Sequence, residues 1–85
     1  MQFEGALIKE QGVAFAVVVV KPFVLSNQSE AERTISDFQR IFQRPVVLMA
    51  QDHRGVPTFY GRRDISSFMA NVPLSAVPWK KFTVN

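Results

Sequence analysis

The chain has 85 residues, of which 47% are hydrophobic and 20% charged, and ten Lys and Arg against seven Asp and Glu give a net charge of +3. This length predicts a single small domain over residues 1–85, and the composition excludes a wholly disordered protein. Because the chain contains no cysteine, disulfides, thiolate metal sites and thiol nucleophiles are also excluded.

The first half begins with two predicted strands. The segment QFEGALIKE, the pair Gln11-Gly12 and the run VAFAVVVV predict a hairpin, with Gly12 supplying the positive φ of a tight turn. Polar residues on the first strand are typical of a sheet edge, and the unbroken apolar second strand is typical of a central position. The apolar run is far shorter than the ~20 residues that span a bilayer. With no basic leader, we expect a cytoplasmic protein without a signal peptide or membrane span.

A helix is predicted next, after a linker that begins at Lys21-Pro22. In the segment NQSEAERTISDFQRIFQR, Ser29 and Glu32 have the spacing of a capping box, and apolar residues recur at helical intervals. We expect this helix to run from about Ser29 to about Gln43. Its outer face carries mixed charges, which indicates a solvated surface.

The second half predicts a second hairpin, a short helix and a final strand. Pro45 ends the first helix, and VVLMAQ and VPTFYG read as two strands joined by the turn DHRG. Pro57 favours either an edge position or the first residue of its strand. Asp64 is expected to cap a short helix over ISSFMAN. The segment PLSAVPWKKFTVN then predicts a connection followed by a short strand.

The stretch GVPTFYG resembles the segment that opens a strand in thioredoxin-like folds, where Val-Pro-Thr precedes an apolar strand. The resemblance covers seven residues and leaves open whether the peptide bond before Pro57 is cis. Since the paired cysteines are absent, we interpret Pro57 as a local way of starting a strand.

The element order β-β-α-β-β-α-β predicts a two-layer α/β (α+β) fold, with a single mixed or antiparallel sheet of four to five strands and both helices on one face. The strands that begin at Val13 and Val46 are nevertheless apolar on both faces. Either the C-terminal segment with Leu74, Val77 and Trp79 folds back over the open face, or a second copy covers it. We expect a homodimer, with an interface formed by Phe15, Val17, Val18, Val47 and Met49.

Few residues point to catalysis. The single histidine, His53, stands beside Asp52 in a predicted turn, and Ser66 and Ser67 have no neighbouring base in the sequence. No carboxylate pair has metal or acid/base spacing within one element, and the glycines are too scattered for a phosphate loop. We therefore predict no catalytic residues, metal site or cofactor, and we do not expect an enzyme.

The positive charge is concentrated in the second half. An antiparallel hairpin should bring Arg44 to the same end of the sheet as Arg62 and Arg63. These three arginines form a candidate anion site, to which Tyr60 and Trp79 would add stacking surfaces for a nucleotide or single-stranded nucleic acid. The alternative is that Arg44 complements the dipole of the preceding helix and the other two keep a loop soluble.

Two functions therefore stand after the sequence analysis. The first is a small noncatalytic interaction or assembly module that self-associates or binds another protein through an apolar sheet face. The second is a weak binder of an anionic ligand or nucleic acid through the arginines. A net charge of +3 is too small to require a nucleic-acid partner.

Overall fold

The structure is a computed structural model that describes residues 1–10 and 12–84. The elements in chain order are β1 (Gln2–Glu10), β2 (Val13–Val19), α1 (Pro22–Leu25), α2 (Gln28–Phe42), β3 (Val46–Gln51), β4 (Pro57–Tyr60), α3 (Arg63–Ala70), a 3₁₀ turn (Leu74–Ala76) and β5 (Lys80–Thr83). The predicted element order is confirmed. The one-turn helix α1 and the 3₁₀ turn are additions within segments expected to be connections.

The strands form one mixed sheet in the order β4-β3-β2-β1-β5. β2 and β3 are parallel, with the chain between them crossing over through α2, and the other neighbouring pairs are antiparallel. The fold class is therefore confirmed as a small α/β domain with a five-stranded mixed sheet, one main helix and one short helix.

The strand β1 is an edge strand, as its polar residues suggested, only in its second half. Its first half lies between β2 and β5, because β5 pairs with Gln2–Gly5. The pairing stops there, so among the described residues no strand lies beside the outer edge of β1 from Ala6 to Glu10. We call this stretch the open edge.

Both predicted hairpins are present. Glu10 pairs with Val13, and Gly12 has a φ of 80°, while Gln11 lies outside the described residues. In the turn between β3 and β4, the Asp52 carboxylate accepts hydrogen bonds from the Arg54 and Val56 amides at 2.8 and 2.9 Å. That turn places His53 on the surface.

The helices cover opposite faces of the sheet, so the expectation that they share one face is wrong. Alternate side chains of β2 and β3 point to opposite sides. On the α3 face, Phe15, Val17, Val47 and Met49 pack with Ile65, Met69 and Val77. On the α2 face, Ala16, Val18, Val46 and Leu48 pack with Ala31 and Phe38. Both apolar faces are therefore covered by the chain itself. Helix α2 packs on one face, and α3 with the C-terminal segment packs on the other.

The helix starts differ from the predicted caps. Asn27 caps α2 by accepting a hydrogen bond from the Glu30 amide at 3.1 Å, so the helix begins before Ser29, and it ends at Phe42 with Gln43 at a φ of 57°. Helix α3 begins at Arg63, with Arg62 as its N-cap. Asp64 is therefore a residue of the first turn and not the cap.

Pro57 opens β4 at the edge of the sheet, as predicted. The described residues contain no cis peptide bond, so the bond before Pro57, which the sequence left open, is trans. Within the same residues, no helix is both long and apolar enough to span a membrane.

Candidate functional site

The five residues expected at a dimer interface are buried within the single chain. Val17, Val18 and Val47 have no exposed surface, and Phe15 and Met49 are 2% and 3% exposed. These side chains form the core beneath the helices. A contact between two copies would have to use other residues.

The arginines lie near one end of the β3–β4 hairpin but have different local partners. Leu48 pairs with Tyr60, and continuing this register places Arg44 and Arg62 at the same end. The Arg44 Nε donates to the Phe42 carbonyl at 3.3 Å. The Arg62 guanidinium instead donates to both carboxylate oxygens of Asp64, at 2.8 and 2.7 Å, and Arg63 is exposed.

The pair formed by Arg62 and Asp64 is exposed to solvent. The hydrogen bond from Arg62 lowers the pKa of Asp64 from 3.8 to about 2, and the Ile65 amide, which donates to the same carboxylate, acts in the same direction. Asp64 is thus ionised at neutral pH and neutralises Arg62. An anion would have to compete with this carboxylate for the guanidinium.

The two aromatic residues predicted to stack on a ligand lie on opposite faces of the sheet. Tyr60 packs against the α2-face cluster and Trp79 against the α3-face cluster. The Trp79 indole N–H donates to the Leu74 carbonyl at 3.0 Å, which ties the C-terminal segment to itself. One ligand cannot stack on both rings.

Tyr60 and Arg62 instead line a cleft of about 460 Å³ between α2 and the end of the hairpin. The cleft has an apolar floor that includes Ile35 and Val46, and Glu32 lies in its wall. The carboxylate of Glu32 opposes the binding of an anion at this position. The cleft therefore combines one neutralised arginine with one further carboxylate.

The open edge is a second candidate site, and the hydrogen bonding of β1 defines its chemistry. The Met1 amino group donates to the Val84 carbonyl at 2.9 Å, and the Val84 amide donates to the Met1 carbonyl at 2.8 Å. In an antiparallel ladder every second residue repeats this arrangement. Phe3 and Gly5 therefore face β5, and Leu7 and Lys9 direct their amides and carbonyls outward in the same way.

A proline in the C-terminal segment explains why the pairing of β5 with β1 does not extend along the open edge. Gly5 pairs with Lys80, so the next residue to pair with β1 on the same side would be Pro78, opposite Leu7. Proline has no amide hydrogen and cannot continue the ladder. The backbone groups of Leu7 and Lys9 are left without a strand partner among the described residues.

An apolar groove of about 300 Å³ runs beside the open edge. Its lining includes Leu7 and Ile8 from β1, Phe68 and Val72 from α3 and the following turn, and Val77. Leu7 is 41% exposed. No local sequence pattern indicated this site, although Pro78 is a signal that pairing of the last strand must end.

Neither site carries the elements of a metal centre, since the described ranges hold no group of three or more His, Asp or Glu side chains placed to bind an ion. The chain was also compared with known proteins. No family model, curated protein or solved structure matches it.

Proposed function

We propose that the protein is a cytoplasmic, noncatalytic interaction module that binds an extended segment of polypeptide at the open edge. The observation that carries this proposal is the pair of outward-facing residues, Leu7 and Lys9, whose amides and carbonyls have no strand partner within the described chain. Such groups pair readily with an added strand, the mode called β-augmentation.

The groove beside the edge supports the same function. Side chains of an added strand alternate between the two faces of the sheet. Those on the α3 face would enter the groove and contact Phe68, Val72 and Val77, so this face selects apolar residues. The backbone would supply affinity and these contacts would supply specificity.

The other two edges of the sheet suit strand addition less well. β4 has only four residues and begins with Pro57, which cannot donate a hydrogen bond. β5 is equally short and carries Lys80 and Lys81, and lysines on an edge discourage pairing. The open edge carries one lysine and one glutamate and is neutral overall.

The test uses a capped hexapeptide of alternating valine and threonine as an extended probe, added to the isotope-labelled protein at a concentration where sedimentation shows only monomer. We expect hydrogen exchange at the Leu7 and Lys9 amides to slow as the peptide is added. The Phe3 and Gly5 amides, already paired with β5, serve as internal controls and should not change. Unaltered exchange at Leu7 and Lys9 with millimolar peptide would contradict the proposal.

A second candidate function is weak binding of an anionic ligand or nucleic acid in the cleft beside α2. What supports it is that Arg62 and Tyr60 line one cleft and that Arg44 immediately precedes Pro45 in its wall. Because the Asp64 carboxylate already pairs with the Arg62 guanidinium, the variant Asp64→Asn should bind inorganic phosphate or ATP more tightly than the unaltered protein. The double variant Arg62→Ala, Arg63→Ala should not bind. Equal binding by all three proteins would reject the cleft as an anion site.

A further inference from the structure

We propose that the strand bound at the open edge is the same edge of a second copy, so that two molecules form a symmetric homodimer. This inference rests on the proposed function, because it requires the open edge to accept a strand. The two five-stranded sheets would join across a two-fold axis into one continuous sheet. The interface would be separate from the buried strand faces of the core.

The outward-facing backbone groups are self-complementary in one antiparallel register. If the two-fold axis passes beside Ile8, Leu7 of each copy lies opposite Lys9 of the other. Both residues direct their amides and carbonyls outward, so each of the two pairs exchanges two hydrogen bonds. This register uses the free groups of both residues in both copies.

The neighbouring registers are excluded by the structure or by charge. An axis beside Leu7 would pair Lys9 with Gly5 of the second copy, whose outer side is already occupied by Lys80. An axis beside Lys9 would place the two copies of Lys9 directly opposite each other, and like charges so placed are unfavourable. The axis beside Ile8 avoids both conflicts.

The side chains fit the same register. The two copies of Ile8 would meet on the α3 face, next to the groove that each copy contributes. Glu10 would lie opposite Ala6, and Lys9 opposite Leu7. By contrast, pairing two copies of β5 in the same way would bring two lysines from each chain together.

The first test is a cysteine cross-link, which is clean because the chain has no cysteine of its own. In the proposed register the two Ile8 residues form a pair without hydrogen bonds, whose Cα atoms are about 4.5 Å apart. That distance suits a disulfide. We expect Ile8→Cys to form a covalent dimer on mild oxidation.

Glu10→Cys is the matched control, since it lies on the same strand and the same face. In the proposed register the two copies of residue 10 lie four residues apart along the strands, too far for a disulfide. Equal cross-linking of the two variants, or none in either, would overturn the register.

The second test introduces a negative or a positive charge at Leu7, whose 41% exposure allows substitution without disturbing the core. In the dimer, Leu7→Glu would create two symmetric pairs, each joining the glutamate of one copy to Lys9 of the other. We therefore expect the dissociation constant of the dimer, measured by sedimentation equilibrium, to fall roughly two- to thirtyfold. Leu7→Lys should raise it by a similar factor. Val56→Glu and Val56→Lys make the same charge changes at an exposed position outside the open edge and should have no such effect.

These experiments distinguish failure of the homodimer from failure of strand binding at the open edge. A chain that stays monomeric at about 1 mM, with Leu7→Glu also monomeric, would overturn the homodimer. If the valine-threonine peptide still protects Leu7 and Lys9 from exchange, the open edge would remain a strand-binding site for a different partner. If the peptide also fails, the proposed function falls with the dimer.

Discussion

At the scale of single residues, the exposed pair formed by Arg62 and Asp64 makes one contribution to stability that depends on acid pH. The pKa of Asp64 is about 2 in the folded protein against an ordinary value of 3.8, chiefly because Arg62 donates a hydrogen bond to its carboxylate. A lowered pKa stabilises the fold above the unfolded-state pKa, and this stabilisation is lost as the pH falls through the folded-state value. The loss of this stabilisation is therefore confined to pH below about 4.

We predict that Arg62→Gln raises the pKa of Asp64 toward 3.8, since the principal cause of the shift is removed. Carbon-13 NMR of the carboxyl group between pH 1.5 and 6 measures this directly. Arg63→Gln removes the same charge one residue away and should leave the titration of Asp64 in place. A similar shift in both variants would show that general charge, and not the hydrogen bond, holds the pKa down.

Gly5 is a second residue whose identity is set by its neighbours. A methyl group at this position would lie 2.6 Å from the Val17 carbonyl oxygen and 3.5 Å from the Phe82 ring. Because the closest atom belongs to the backbone of a central strand, it cannot move away without disturbing the ladder. Gly5 thus permits the close approach of β1 and β2 beneath Phe82.

We expect Gly5→Ala to lower the free energy of unfolding by about 1 to 3 kcal/mol, the usual cost of overpacking. Urea denaturation followed by Trp79 fluorescence gives the value. Glu4→Ala, at the exposed neighbouring position, is the control and should change stability little. An unchanged midpoint for Gly5→Ala would mean that the two strands separate at low cost.

At the scale of elements, the start of α2 shows why sequence patterns locate a helix better than its first residue. Asn27 and Ser29 are both good N-cap residues, and the spacing of Ser29 and Glu32 favours the later start. In the structure the Asn27 side chain accepts the Glu30 amide, and Ser29 lies within the helix. The apolar period identified the helix, while the cap signal at Ser29 placed its N-cap two residues too late.

The cap assignment predicts unequal effects of two alanine substitutions. Asn27→Ala should destabilise the protein by about 1 kcal/mol, because the Glu30 amide loses its acceptor. Ser29→Ala should have a much smaller effect, since it makes no cap in the structure. Thermal unfolding of both variants tests this, and the opposite order would restore the capping box predicted from the sequence.

The open edge illustrates what an element-by-element prediction leaves out. The strands β1 and β5 were both predicted, and the polar residues of β1 indicated an edge. The pairing of Gly5 with Lys80 joins residues far apart in the chain, and no local pattern encodes it. Which half of β1 stays unpaired depends on this long-range register and on Pro78, so the candidate site emerges only when the strands are assembled.

At the scale of the whole molecule, the central strands were correctly predicted to need cover on both faces. The C-terminal segment, one of the two sources considered, contributes to that cover, while the favoured source, a second copy, is not needed for it. The apolar composition of VAFAVVVV is the same whether the second face meets a helix of its own chain or another molecule. The order of the helices along the chain does not determine their faces, and the prediction placed both helices on the same one. In the structure, α2 and α3 lie on opposite sides, and a short chain thereby covers both faces by itself.

This arrangement predicts that a charge at Val18 unfolds the protein and does not produce a folded monomer. Val18 has no exposed surface and lies beneath α2, so the carboxylate of Val18→Glu would be buried without a partner. Such burial costs several kcal/mol, which is comparable with the total stability of roughly 4 to 13 kcal/mol expected at this length. Circular dichroism and one-dimensional NMR should show loss of cooperative folding.

Leu7→Glu is the matched control for that experiment, because it places the same charge on the same face of the sheet. Alternation along the strands and the pairing of Gly5 with Val18 put Leu7 on the side of α2, but Leu7 is 41% exposed. Its carboxylate stays hydrated, and we expect the variant to fold. If Val18→Glu also folds and differs only in being monomeric, then Val18 contacts a second molecule and the cover provided by α2 is not the one present in solution.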